Sequence, residues 1–227
     1  MKATEHGANL IKLTRGGWVN CYLVREDDGL TLVDTAVRRS GGKIIEAAEA
    51  AGAPIVRILV THAHMDHVGS VDELAALLPD AEVIFPARDA RFLRGDSSLD
   101  PDEPDAKPTF KQVKTRASRE VVPGDEVESL QVVGAPGHSP GQVALLDLRD
   151  RTLIAADAFQ TLGGTAVTHK PHWKFPLPGM ATWHGPTAVE SARKLRALEP
   201  SRLAVGHGKL LDDPLEEMDR AIAAATS

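Results

Sequence analysis

The tightest constraint on this chain is the run Thr61-His62-Ala63-His64-Met65-Asp66-His67, which follows the apolar, β-branched stretch Ile55, Val56, Ile58, Leu59 and Val60. That stretch reads as a buried strand, so the histidines fall where a strand ends and the chain turns. While the chain is still extended, side chains two apart share a face, and His62 and His64 converge on one ion. As it then curls into a helix, Asp66 and His67 are displaced sideways, toward a second ion. The helix start is legible as a capping box, with Ser70 as N-cap and Glu73 as its partner three residues on. Imidazole and carboxylate together suit zinc, with iron and manganese as alternatives. A lone histidine in an apolar setting is usually a hydrogen-bonded structural residue. Three of them with an aspartate, between a strand and a capped helix, are hard to obtain that way.

Composition narrows the class. The chain has 227 residues, 42% hydrophobic and 26% charged, as in globular proteins with a core of native size. No repeat, low-complexity tract or separating linker is visible, so one domain over residues 1–227 is the simplest reading. A net charge of −6 argues against nucleic-acid binding, which relies on clustered Lys and Arg. No run of eighteen apolar residues is present to span a membrane. The start, Met1-Lys2-Ala3-Thr4-Glu5-His6-Gly7, lacks the apolar core of a signal peptide, and the single cysteine cannot form an internal disulfide. Both point to the cytoplasm. Cys21, inside the apolar run 19–24, reads as a small buried residue.

In chain order, residues 10–34 alternate short apolar runs with Gly16-Gly17 and Asp27-Asp28-Gly29, the pattern of an antiparallel sheet. Asp34, at its strand end, suits a cap first and a hydrogen-bond acceptor for a ligand histidine second. Residues 40–51 have helical spacing, and strand 55–60, the histidine run, a helix through Leu74, Leu77 and Leu78, and strand 81–85 follow. This is a layered α/β pattern. From 86 to 119 the chain is polar and proline-rich and reads as a loop bordering the active site. Strands resume at 130–133, 142–148 and 152–156, interrupted by Gly137-His138-Ser139-Pro140-Gly141, a rigid turn that fixes an imidazole. Asp157 ends a buried strand, where an unpaired carboxylate is costly.

Residues 159–185 gather His169, Lys170, His172, Trp173, Trp183 and His184 in a proline-stiffened loop. The loop suits a substrate-pocket wall, a plug over the core, or a homodimer contact. A helix over 186–198, the strand 203–205, the turn Gly206-His207-Gly208 and a terminal helix through Leu215, Met218 and Ile222 complete the chain.

Taken together, Thr-His-x-His-x-Asp-His at 61–67, Gly-His-Ser-Pro-Gly at 137–141, Asp157 and Gly-His-Gly at 206–208 resemble the metallo-β-lactamase superfamily over nearly the whole chain. The resemblance implies an α/β fold, a four-layer αββα sandwich. It also implies two metal ions, with His62, His64 and His138 on the first, Asp66, His67 and His207 on the second, and Asp157 bridging. The implied chemistry is hydrolysis: two zinc ions lower the pKa of a shared water toward ~7, and the bridging hydroxide attacks an ester, lactone or thioester of a small molecule. Asp66 orients it and carries a proton. His169, His172, Trp173 and His184 are candidates for substrate binding. Related branches offer a persulfide dioxygenase with one iron, on His62, His138 and Asp157, and an RNA hydrolase, which the acidic charge disfavours.

Overall fold

Apolar β-branched runs punctuated by Gly, Asp and Pro become strands wherever their side chains find cover on both faces. The computed structural model, in which residues 1–226 are described, condenses into two compact units. One holds Met1–Asp96 with Phe110–Val121, the other residues 97–109 and the chain from Val122 on.

The first unit opens with four antiparallel strands, β1 (Lys2–His6), β2 (Leu10–Arg15), β3 (Val19–Glu26) and β4 (Gly29–Val33). It continues with α1 (Gly41–Ala50), β5 (Ile55–Leu59), α2 (Met65–Val68), α3 (Val71–Leu77), β6 (Glu82–Pro86), α4 (Ala87–Leu93) and β7 (Arg119–Val121). The sheet order is β1 through β7 in sequence, with β4, β5, β6 and β7 parallel. Leu23, Leu32, Ile58, Val71 and Phe92 form its core, each burial contributing about 1.5–3 kcal/mol. Cys21 lies in this core as expected, and burial pushes its thiol pKa up, so it is inert.

The second unit contains β8 (Glu126–Val127), β9 (Leu130–Gly134), β10 (Val143–Asp147), β11 (Thr152–Ala156), β12 (Phe159–Gln160), β13 (Ala166–Val167), α5 (Leu177–Ala181), α6 (Gly185–Ala197), β14 (Arg202–Val205), β15 (Leu211–Asp212) and α7 (Leu215–Thr226). Its main sheet runs β15-β14-β11-β10-β9-β8, and β12 and β13 form a small hairpin. Leu146, Leu153, Phe159, Leu195 and Met218 lie in its core.

Three local expectations change. The loop expected over 86–119 carries a helix, α4, whose Ala90, Phe92 and Leu93 are buried. Ser70 does precede α3, but its side chain makes no cap bond: Ser70 Oγ donates to the Val37 carbonyl and accepts from Ser40 N–H, while Glu73 accepts from Gly41 N–H at 3.2 Å. The box residues bind the turn 37–41 because tertiary donors outcompete the helix's own. Asp34 is not a cap, for reasons found at the site. Among the described residues no helix is long and apolar enough to cross a membrane.

Candidate metal centre

Strand direction gathers the chemistry. In the first unit β4, β5 and β6 are parallel, with Val33 opposite Leu59 and Leu59 opposite Ile84, so all three chains leave the sheet at one end. Ligands in α/β sheets bind at that carboxyl end. Asp34 follows β4, the histidine run follows β5, and Asp89 follows β6 on α4. His62 and His64 precede α2, while Asp66 and His67 lie on it. The His62 ring lies 4.7 Å from that of His64 and 4.0 Å from that of His67. Donor atoms of His62 and His64, and of Asp66 and His67, come within 4.8 Å of each other.

Two carboxylates outside the histidine run hold this corner. Asp34 accepts from Thr61 N–H at 2.8 Å and from His67 Nδ1 at 2.7 Å, and the Thr61 hydroxyl donates to Asp34 Oδ2 at 2.8 Å. Because that hydroxyl has one proton and gives it to Asp34, its oxygen accepts from His62 Nδ1 at 3.0 Å. Both imidazoles are thereby fixed as Nδ1–H tautomers, which turns Nε2 into the donor for a cation. Asp89, fully buried, accepts from Ala63 N–H at 2.8 Å and so pins the link between His62 and His64. Sequence reasoning passed over Asp89, whose only signal is an acidic residue shortly after a buried strand. Asp34, Ala36 and Arg39 all have positive φ (62°, 53° and 61°) without being glycine. Such backbone costs about 1–2 kcal/mol per residue and persists where surrounding bonds over-determine it, as the Asp34 bonds do.

The second unit uses topology rather than a motif. β11 and β14 are parallel with Ala156 opposite Val205, so Asp157 and His207 emerge side by side. β10 runs antiparallel to both β9 and β11, so the 137–141 turn, which joins β9 to β10, lies at that same end. Gly137 has a φ of 128°, and a Cβ there would collide with the backbone of Ala188 in α6, so only glycine lets the turn pass. Nε2 of His138 lies 3.3 Å and Nε2 of His207 3.1 Å from the same oxygen, Asp157 Oδ2. The Thr182 hydroxyl donates to the Thr168 carbonyl and therefore accepts from His138 Nδ1 at 3.0 Å. His138 is thus also an Nδ1–H tautomer whose Nε2 faces a carboxylate. Lone pair against carboxylate is repulsive unless a positive charge lies between them, which fits the residues to a divalent cation. Thr168 in turn donates to the Asp157 carbonyl, so the two threonines link the His138 ring to the Asp157 backbone. The Phe175 ring stacks obliquely 5.4 Å from the His207 ring.

The other expected site residues are placed apart from these bonds. His184 is the N-cap of α6, its Nδ1 2.7 Å from the Thr187 hydroxyl. His169 donates from Nδ1 to the Val167 carbonyl, and burial lowers its pKa. His172 and Trp173 have ring centroids 6.5 Å apart, with Trp173 83% exposed and Lys174 over its face.

Comparison with known proteins bears on the family and the fold. The family model described as the metallo-beta-lactamase superfamily matches residues 14–207, a span that includes every expected ligand. An uncharacterized protein of Bacillus subtilis (strain 168), YobT, is 46% identical over 91% of this chain and 90% of its own length. YflN, named a probable metallo-hydrolase of the same organism, is 29% identical over 83% of this chain and 80% of its own. Among solved structures, DIM-1 metallo-beta-lactamase aligns with a TM-score of 0.72 at 16% identity, over 99% of this chain and 97% of that one. TTHA1623 in a di-iron-bound form aligns at 0.64 with 25% identity, over 92% and 96%. The expected α/β fold class is therefore the one found, and the chain belongs to the metallo-β-lactamase superfamily.

Proposed function

We propose that this chain is a dinuclear-metal hydrolase cleaving an ester, lactone or thioester bond of a small molecule. On this reading, which follows the family's ligand pattern, His62, His64 and His138 would hold one ion and Asp66, His67 and His207 the other, with Asp157 serving both. The observation that carries the reading is the shared tautomer: Asp34, Thr61 and Thr182 each take up an imidazole Nδ1, which reserves Nε2 of His67, His62 and His138 for a cation. Zinc suits this donor set, with iron or manganese as alternatives. When bound, two such ions lower the pKa of a shared water toward ~7 and polarise the substrate carbonyl.

The remaining work falls to the chain. Asp66 is partly exposed, so it can exchange protons with solvent while it orients the nucleophile and protonates the leaving group. Asp34 and Asp89 keep the histidine corner from relaxing, so little reorganisation accompanies reaction. Phe175 gives the His207 side an apolar wall, and His169, His172, Trp173 and His184 complete a substrate-binding loop that also suits a homodimer contact. The net charge of −6 favours a small substrate over a nucleic acid and, with one cysteine, a cytoplasmic setting. The relatives named probable metallo-hydrolases support the reaction class, and the di-iron form of TTHA1623 supports occupancy by two ions.

The test is metal analysis of protein purified without added metal, beside a panel of lactones, thioesters and phosphodiesters. Two ions per chain with turnover of one ester class is the expected result. One iron per chain with oxygen uptake on a persulfide would replace this reading with the dioxygenase, and phosphodiester turnover with the RNA-hydrolase branch.

A further inference from the structure

The first unit has a second concave site, built from charge rather than from histidines. A cleft of about 400 Å³ lies between the 38–39 turn, the start of α3 and residues 111–114. Arg38 and Arg39 line one wall, Lys111 and Lys114 another. Most arginines elsewhere on the chain's surface meet an acid: Arg25 with Glu5, Arg94 with Glu120, Arg149 with Asp147, Arg196 with Asp219. Among the described residues, the side chains of these four cations form no such pair.

The two acids of the cleft are already committed. Asp72 accepts from the N–H groups of Lys114 and Thr115 and from the Thr115 hydroxyl at 2.7 Å. Partial burial raises its pKa, but these bonds and the nearby Lys114 charge outweigh that and hold the carboxyl below the usual range. Glu73 accepts from Gly41 N–H. Both acids fasten the walls, and four cations against two carboxylates still leave the cleft with two positive charges in excess. The floor is close-packed backbone, since a Cβ on Gly69 would come within 2.6 Å of the Ala36 carbonyl and the Arg38 nitrogen. Strain at Arg39, with φ at 61°, is held in place by the same turn.

We propose that this cleft binds a small phosphorylated molecule at a site separate from the metal centre. Two guanidinium forks and two ammonium groups around one concavity match the oxygens of a phosphate monoester or diphosphate. A single carboxylate, with two oxygens, cannot engage all four, and a dicarboxylate such as succinate divides its four oxygens between two separated ends instead of gathering them on one centre. A nucleic acid is disfavoured because the cations are confined to the cleft while the chain as a whole is acidic. The volume lies within the range of small-ligand sites, about 300–1,000 Å³. The site is tied to the histidine corner, for Lys111 N–H donates at 2.7 Å to the Ala63 carbonyl, between His62 and His64.

The experiment is titration calorimetry on the metal-loaded protein with inorganic pyrophosphate, glycerol phosphate and succinate at equal ionic strength. Both phosphates should saturate one cleft site per chain, and succinate should not. Arg38→Gln with Arg39→Gln, and separately Lys111→Gln with Lys114→Gln, should each weaken binding about tenfold for every charge removed, with unchanged melting temperature and metal content. Because the pairs lie on different walls, misfolding of one variant leaves the other as a test. The proposal is overturned by phosphate affinity weaker than about 1 mM, by equal affinity for succinate, or by phosphate binding that survives in either folded variant, which would place it at the metals.

Discussion

The two units assemble their shares of the chemistry by opposite means. In the first, four expected ligands lie within six residues, and two carboxylates from neighbouring strand ends, Asp34 and Asp89, brace them. In the second, His138, Asp157 and His207 are spread over seventy residues and meet because β10, β11 and β14 bring their ends to one edge. The brace there is neutral, the Thr182–Thr168 relay. A local motif tolerates a modest scaffold, whereas dispersed ligands depend on strand register and on glycines that let segments approach.

The largest effects should come from removing a ligand at the compact corner. Asp66→Ala or His64→Ala should lower kcat/KM by about 10²–10⁴ on the substrate found in the panel, with loss of both ions by elemental analysis. Full turnover in either variant would sink the hydrolase assignment.

Next are the braces, where the comparison can be sharpened directly. Asp34→Asn should weaken metal affinity about 10- to 100-fold by competition with a chelating dye, since it disturbs His67 directly and His62 through Thr61. Thr182→Val disturbs only His138, so its effect should be smaller. A larger effect from Thr182→Val would reverse the proposed contrast between charged and neutral bracing.

Glycine substitutions test the dependence on close approach. Gly137→Ala should cost about 1–3 kcal/mol in urea unfolding, because the added carbon meets α6 backbone. Gly69→Ala, whose contacts begin at 2.6 Å, should cost less. Equal stability of Gly137→Ala and the parent would mean that the turn can shift.

The smallest expected effect is electrostatic. Asp72 has its carboxyl pKa depressed in the folded state, so its contribution is present above the unfolded carboxylate value, about 3.9, and is lost as pH falls through the lower folded value. Asp72→Asn should therefore flatten the acid limb of the stability curve below about pH 4. An unchanged acid limb would show that solvent screens those bonds.

Much of this is legible in the sequence. Apolar runs marked β3, β4, β5, β10, β11 and β14 because strands buried on both faces have few compatible compositions. The histidine run announced a metal corner because ligand spacing in an extended segment is a local property. α4 is not legible because Ala87–Leu93 is short and three of its seven residues, Arg88, Asp89 and Arg91, are charged, with Asp89 turned into the interior. Asp34 reads first as a cap, since a carboxylate at a strand end satisfies local donors in most sequences, and only the parallel pairing of β4 with β5 brings Thr61 and His67 within its reach.

The sequence by itself determined the residue types of the site, the strands that carry them and the family to which they point, because these rest on composition and on spacings of a few residues. Tertiary structure alone decided which imidazole nitrogen is held, that Asp34, Thr61 and Thr182 do the holding while Asp89 pins the Ala63 backbone, that Ser70 and Glu73 leave their helix to bind a turn, and that four cations share one cleft. Each of these depends on hydrogen bonds or approach between segments far apart in sequence, and such distances are set by strand direction and packing, which no local pattern encodes.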